Sequence, residues 1–253
     1  MTGHTEKVSH AAFSPDGRTL ATSDLDGAVR LWDATDARRP REVSLFTAHA
    51  SGANAAVFSP DGRTLATGGW DRKVALWNVS SLRHPRRPAT SAVRREGVNA
   101  VAFSPDGTTV ASTDFGGATR LWSVTGRRLD QTAALAGHVG AAYSPVFSPD
   151  RKTLRTAGAD GTARLWDTTD PVHPLALAVL TDDGEQAAKA VFSAAFGPDG
   201  HALAIGGADH SVHLWQTDLK RAAVQVCRRS YPSMTQSQWK SFFGTVAYRS
   251  PCP

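Results

Sequence analysis

Cysteine is nearly absent from this chain: Cys227 and Cys252 are the two in 253 residues, and both fall in the last stretch. So sparse a pair excludes a disulfide framework and, with no Cys and His clustered around it, a structural zinc site. Two free thiols or one tail-closing disulfide are the readings left for it. Long apolar runs are missing as well. None approaches the ~20 residues of a membrane-spanning helix, and the opening Met1-Thr2-Gly3-His4-Thr5-Glu6 has no basic stretch followed by an apolar one. No membrane partner is expected, and cytoplasmic placement follows as the default. Helical periodicity is missing throughout, which excludes helix bundles. A large excess of one charge is missing too: the net charge of +5 is modest, and no known nucleic-acid-binding module is visible.

Repetition is what the sequence has in abundance. Phe-Ser-Pro-Asp-Gly at Phe13 returns at Phe58 and Phe103, then as Phe-Ser-Pro-Asp-Arg at Phe147 and Phe-Gly-Pro-Asp-Gly at Phe196. A tryptophan follows each of them nineteen residues later, at Trp32, Trp77, Trp122, Trp166 and Trp215, with gaps of 45, 45, 44 and 49. Within the third unit Val98, Ala100 and Ala102 alternate with Asn99, Val101 and Phe103, which is strand periodicity. Ser104-Pro105-Asp106-Gly107 then turns the chain into a second strand near Thr109–Ser112. A second turn crosses Asp114 to Gly117 before a third strand ends at Trp122. The outer strands are least regular, near Leu45, Val93, Leu135, Leu177 to Leu180 and Val224 to Val226. A unit of this length cannot bury both faces of its own sheet, so neighbours must stack face to face. The predicted fold is all-β, a propeller of five visible four-stranded blades that either closes as a tight ring, stays an open arc that pairs with another chain, or is an incomplete part of a larger propeller. The blades cover about 3–46, 49–93, 94–136, 138–181 and 187–228, followed by a tail over 229–253.

With Gly3-His4 opening the first unit and Leu31-Trp32-Asp33 closing it, the chain resembles the WD40-repeat β-propellers. The resemblance implies a hydrogen-bonded set in each well-formed blade: a His before the first strand, a Ser or Thr in the second, an Asp in the next turn and the Trp. The sets would be His4, Thr22, Asp26 and Trp32; His49, Thr67, Asp71 and Trp77; and His138, Thr156, Asp160 and Trp166. Three copies at blade spacing describe architecture, and none carries a nucleophile or oxyanion motif that would make it a hydrolase triad. The third blade departs, with Arg94 for the His and Gly116 for the Asp beside Ser112 and Trp122. The fifth departs with Ala187 and Ile205 beside Asp209 and Trp215. These two blades are expected to lack an internal network and to loosen first. From Val226-Cys227 through Met234-Thr235 and Trp239 to Tyr248-Arg249-Ser250-Pro251-Cys252, the tail resembles the one that follows the repeats in actinobacterial multidomain signalling proteins with a NACHT-like NTPase. Thr235 to Gln238 reads as a capping box for a short helix bearing Trp239, Phe242 and Phe243 on the last blade.

The family fold implies that residues just before each tight-turn Asp look across one face near the channel: Leu25, Trp70, Phe115, Ala159 and Ala208. The strand entries add Lys7 and Ser9, Gly52 and Asn54, Gly97 and Asn99, Ala141 and Tyr143, and Ala190 and Phe192. Leu25, Asn54, Trp70, Asn99, Phe115, Tyr143 and Phe192 therefore form the candidate partner-binding face, with large aromatics as anchors. The competing reading has some of these rings filling the channel. On the opposite face, Arg38, Arg39 and Arg41, then Arg83, Arg86 and Arg87, then Arg127 and Arg128, lie in loops that adjacent blades would merge into a basic arc, diluted by Asp16, Asp61, Asp106 and Asp150.

The function expected is that of a non-catalytic protein–protein interaction scaffold, regulatory or sensory, with no catalytic residue, metal or cofactor. Alternatives are a remnant of a larger signalling protein without independent function, docking of an acidic protein or nucleic acid through the basic face, and an enzyme of propeller architecture. Catalysis is disfavoured because the rim is apolar, amide or small, and nucleic acid because the net charge is modest, no nucleic-acid module is visible and the hairpin aspartates dilute the basic face. An open arc of blades would expose apolar faces and invite self-association.

Overall fold

The computed structural model describes residues 2–91, 95–126, 128–181, 190–208 and 210–216. The expected outer strand at Val224 to Val226, the capping-box helix, both cysteines, Val93, Arg94, Arg127, Ala187 and Asp209 lie outside the described residues.

Every described element is a strand. Blade 1 is β1 (Val8–Phe13), β2 (Thr19–Asp24), β3 (Ala28–Asp33) and β4 (Arg41–Thr47); blade 2 is β5 (Ala53–Phe58), β6 (Thr64–Gly69), β7 (Val74–Asn78) and β8 (Arg86–Thr90). Blade 3 is β9 (Val98–Phe103), β10 (Thr109–Asp114), β11 (Thr119–Thr125) and β12 (Arg128–Leu135); blade 4 is β13 (Ala142–Phe147), β14 (Thr153–Gly158), β15 (Thr162–Asp167) and β16 (Leu175–Thr181). Blade 5 contributes β17 (Val191–Phe196), β18 (Ala202–Gly207) and β19 (Val212–Gln216). Each sheet is an antiparallel meander in chain order.

The Ser-Pro-Asp-Gly runs make the first hairpin of each blade. The Ser14 hydroxyl donates to Asp16 at 2.6 Å and accepts the Thr19 amide at 2.9 Å, while Asp16 accepts the Arg18 amide at 3.1 Å. Ser59–Asp61, Ser104–Asp106 and Ser148–Asp150 repeat the bond at 2.5, 2.6 and 2.6 Å. In the fourth copy Arg151 stands where the others have glycine and adopts the same positive φ, 66°.

Alternation within the strands sends apolar side chains both ways, and the core lies between blades. Val29 and Leu31 of blade 1 meet Ala53, Ala56, Leu65 and Trp77 of blade 2. Val74 and Leu76 of blade 2 meet Val98, Val101, Val110 and Trp122 of blade 3. Ala111 and Leu121 meet Phe147, Leu154 and Trp166 of blade 4, whose Ala157 and Ala163 meet Val191, Leu203 and Ile205 of blade 5. The repeated Trp is thus a core residue, as its period implied. Inner strands pack in the series β1, β5, β9, β13, β17, and no comparable packing joins β17 back to β1 among the described residues. The sheets form an open arc, compatible with part of a larger propeller.

Candidate functional site: the linker and turn rim

Each blade's second turn is tied to its own strand entry by one backbone bond that recurs five times. The amides of Leu25, Trp70, Phe115, Ala159 and Ala208 donate to the carbonyls of Lys7, Gly52, Gly97, Ala141 and Ala190 at 3.1, 2.8, 3.1, 2.8 and 2.9 Å. The predicted rim residues are therefore brought together on one edge. Trp70 and Phe115 keep 46 % and 40 % of their surface exposed. Both rest on glycine: a Cβ at Gly52 would fall 2.8 Å from the Trp70 ring, and one at Gly97 would fall 3.3 Å from the Trp70 Cα and 3.4 Å from the Phe115 ring. The missing side chains seat the two aromatics on adjacent blades over a shared glycine. Phe192 is also exposed, and Tyr143, half-buried, meets it edge-on at 5.5 Å. Leu25 is half-buried.

The two asparagines require a correction. Asn54 and Asn99 do not present their amides to a partner. Asn54 Nδ2 donates to the Val98 carbonyl at 2.9 Å and Asn99 Nδ2 to the Ala142 carbonyl at 3.0 Å, each on the next blade. Ser9 makes the same reach to the Ala53 carbonyl. The register slips beside each of these residues in its own sheet, and such a bulge re-aims the side chain sideways. They latch blades together. A small amide or hydroxyl at one fixed offset in three successive repeats was the signal that could have revealed this.

The buried sets behind the rim follow two patterns. In blade 2, His49 bonds Asp71 at 2.8 Å and Thr67 at 2.9 Å, and the Trp77 indole donates to Thr67 at 3.1 Å. In blade 4, His138 bonds Asp160 at 3.1 Å and Thr156 at 2.9 Å, with Trp166 donating to Thr156 at 3.2 Å. Burial pushes the Asp71 carboxyl up, but the His49 bond and the amides of Ala50 and Lys73 outweigh it and hold the group below the usual carboxylate range. Burial holds His138 below the ordinary histidine value despite Asp160.

Blade 1 differs from expectation. His4 does bond Thr22 at 2.6 Å and Trp32 does donate to Thr22 at 2.8 Å, but the carboxylate on His4 is Asp24, at 2.6 Å, and Asp26 instead accepts from the Thr5 hydroxyl at 2.7 Å. The cause lies two residues after the strand hydroxyl. That place is Gly69 in blade 2 and Gly158 in blade 4, where a Cβ would fall 2.4 Å from the His49 ring and 2.2 Å from that of His138. With Asp24 in this place, the histidine is met by the strand-end carboxylate before it can reach the turn. Blade 3 is corrected on the same ground. Although Gly116 replaces the turn Asp, Asp114 stands where Asp24 does, accepts the Gly116 and Ala118 amides at 3.1 and 2.8 Å, and is ion-paired with Arg120. Ser112 still accepts from Trp122 at 2.8 Å, so this blade has an internal network after all.

The basic face is less continuous than predicted. Arg41, Arg86 and Arg128 begin the outer strands β4, β8 and β12, and Arg87 follows in β8, rather than lying in loops. Arg38, Arg39 and Arg83 are exposed in the connections. Arg87 stacks over Trp77 at 5.6 Å and Arg128 pairs with Asp130. His84, Arg86 and Arg87 share a groove of about 620 Å³ with Asn78, Ser80 and Ser81. Asp106 is engaged by Arg151 of the next hairpin; burial pushes its carboxyl up, but its bonds to Ser104, Thr108 and Arg151 bring it down to about 2. Sequence reading also missed Arg155, fully buried where blades 1 to 3 have Ala21, Ala66 and Ala111. It donates to the Ser144 carbonyl at 3.1 Å, and burial lowers its pKa to about 10.

Comparison with known proteins agrees with this geometry. The family model described as "WD domain, G-beta repeat" matches residues 1–33, 40–78, 91–123, 129–167 and 178–216. Among curated proteins, the chain is 52 % identical over 48 residues to NAD(+) hydrolase ApTIR of Actinoplanes sp., which covers 19 % of this chain and 7 % of that protein. It is 47 % identical over 38 residues to Ribosome assembly protein 4 of Saccharomyces cerevisiae (15 % and 7 %), and 48 % identical over 33 residues to the Notchless protein homolog of Arabidopsis thaliana (13 % and 7 %). The matched segments are each about one repeat long and span about 7 % of the relatives' lengths. What is shared is the blade, and by the span of its five matched repeats the chain belongs to the WD40 family.

Proposed function

We propose that this chain is a non-catalytic protein-binding scaffold whose capture surface is the aromatic rim centred on Trp70 and Phe115. WD40 repeats as a class hold protein partners and are typically non-enzymatic, and the named functions of the short-matching relatives stay with those proteins. The observation that carries the reading is the pair of exposed rings on adjacent blades, each fixed by a backbone bond and seated on glycine. Rigid, half-desolvated aromatics lose little entropy on binding and are the usual centres of binding energy. Asn54 and Asn99 support the surface by locking blades 2, 3 and 4 in register. The partner fitted by such a rim is a peptide segment with apolar side chains. The tail's resemblance to actinobacterial signalling proteins extends the proposal to a regulatory or sensory role.

Selection of a displayed random-peptide library on the purified chain, with counter-selection on Trp70→Ala, tests this. The expected result is a family of apolar peptides whose binding falls at least tenfold in Trp70→Ala and Phe115→Ala. Binders indifferent to both substitutions, or no enrichment, would overturn it. A second reading, docking of an acidic protein segment, is favoured by the grouping of His84, Arg86 and Arg87 in one groove. It predicts binders that weaken with salt and with Arg86→Glu.

A further inference from the structure

The four inter-blade interfaces are copies of one heterologous contact, and among the described residues blades 1 and 5 each leave half of that contact open. On the forward-facing side, Val29 and Leu31 of blade 1, Val74 and Leu76 of blade 2, and Thr119 and Leu121 of blade 3 are each at most 1 % exposed, covered by the next blade. The residues in the same places of blade 5, Val212 and Leu214, are 71 % and 78 % exposed. On the backward-facing side, Ala53 and Ala56 of blade 2 are fully covered by blade 1 and Phe147 of blade 4 is 8 % exposed, whereas in blade 1 Val8 is 47 % and Phe13 61 % exposed, with Ala11 exposed between them. Large apolar groups laid open at both ends of a stack are not a neutral surface.

We infer that these two faces are one interface, in which the Val212–Leu214 face of one chain packs on the Val8–Phe13 face of a second copy. The occupant follows from continuity. In all four interfaces within the chain, the forward face of a blade takes the backward face of its successor, and the only such backward face left open among the described residues is that of blade 1. Because the faces differ, the contact is head-to-tail, and it closes into a ring or extends according to the angle between copies. The inference stands apart from the peptide-binding proposal, since Trp70 and Phe115 lie on interior blades.

Light scattering behind size exclusion, over a dilution series of the full chain, tests it with two variants. Phe13→Asp spoils the backward face and Leu214→Lys the forward one. Both side chains are exposed, and near-unchanged thermal unfolding of the diluted variants checks that the fold is kept. Wild-type chain is expected at twice the monomer mass or more, and each variant alone at the mass of one chain, because every contact then includes one spoiled face. An equimolar mixture of the two variants retains one intact pair of faces and is expected to give a 1:1 dimer. Monomeric wild-type chain at all concentrations, oligomers indifferent to both variants, or a mixture that stays monomeric would overturn the inference.

Discussion

Asp24→Gly should be less damaging than Asp24→Ala, although glycine is ordinarily the worse residue in a strand. Asp24 is 1 % exposed and accepts three bonds: His4 Nδ1 at 2.6 Å and the amides of Asp26 and Ala28 at 3.1 and 3.0 Å. Each amide bond contributes roughly 1 kcal/mol net and the bond with histidine roughly 1.5–3 kcal/mol, so truncation to alanine costs about 3–5 kcal/mol before relaxation. Relaxation is where the two variants part. Glycine reproduces the Thr-x-Gly-x-Asp pattern of blades 2 and 4, in which the His lies over the glycine and takes the turn carboxylate. Asp26 already stands at that turn position, so in Asp24→Gly the His4 ring can settle onto it and recover most of the loss, leaving about 1 kcal/mol, chiefly the backbone cost of glycine. The alanine methyl blocks the same movement. Urea unfolding followed by tryptophan fluorescence measures both losses, and Asp24→Gly/Asp26→Ala should fall back to the level of Asp24→Ala. A glycine variant as unstable as the alanine one, with His4 still away from Asp26, would refute the reasoning.

Four other outcomes follow from the same geometry. Gly27 and Gly17 share a positive φ, 87° and 70°, but a Cβ at Gly27 would fall 2.2 Å from the His49 carbonyl while one at Gly17 meets nothing within 4 Å. Gly27→Ala should therefore cost several kcal/mol and Gly17→Ala about 1–2 kcal/mol in chemical unfolding. Burial holds His10 and His138 below the ordinary value of 6.5, so the unfolded chain takes up their protons first. Stability is then full above about 6.5 and falls as pH drops through the folded values, and His10→Gln should reduce the slope of unfolding free energy against pH in that window. Asp71 and Asp160 act in a lower window: their folded values are depressed, so their contribution is present above 3.8 and lost as pH falls below it, which Asp71→Asn should remove from an acid titration. Arg151→Ala should change the unfolding midpoint little, because its pair with Asp106 is largely solvated on the arginine side.

The fold was legible because the period of the tryptophans and the turn chemistry of Ser-Pro-Asp-Gly both act within one repeat. Ser14, Asp16 and Gly17 are two or three residues apart and close their hairpin with their own side chains. Trp70 and Phe115 could likewise be placed by counting, since the rim bond from each turn to its strand entry repeats with the same offset. Errors arose where one residue decides between two near-equal local solutions. Asp24 and Asp26 both lie near His4, and Gly69 and Gly158 select the outer carboxylate simply by having no Cβ. Asn54 and Asn99 were misread because a half-buried amide on an edge looks available until the next blade is in place.

That last kind of error is informative, since it shows which residues belong to the junction rather than to a blade. The Gly27 carbonyl accepts the amides of Ala48 and His49 at 2.8 and 3.1 Å, and its positive φ with no side chain lets the histidine-bearing linker of blade 2 pass against it. Gly117 leaves the same room beside His138, since a Cβ there would fall only 2.4 Å from the His138 carbonyl. Blade 2 has Arg72 in the equivalent place, at φ 68°, and the blade that follows has no histidine in its linker sequence. Gly27 and Gly117 thus make room for the histidine-bearing linker of the next blade, although Gly161, at φ 76°, precedes a blade with Ala187 in that place, so the glycine permits the histidine without requiring it. Replacing Arg72 with Gly should be tolerated, whereas placing Arg at Gly27 should unseat His49 from Asp71 and Thr67 and, with it, the Trp70 turn that adjoins Asp71, so that hydrogen exchange rises at the amides of Trp70 and Ala50 together.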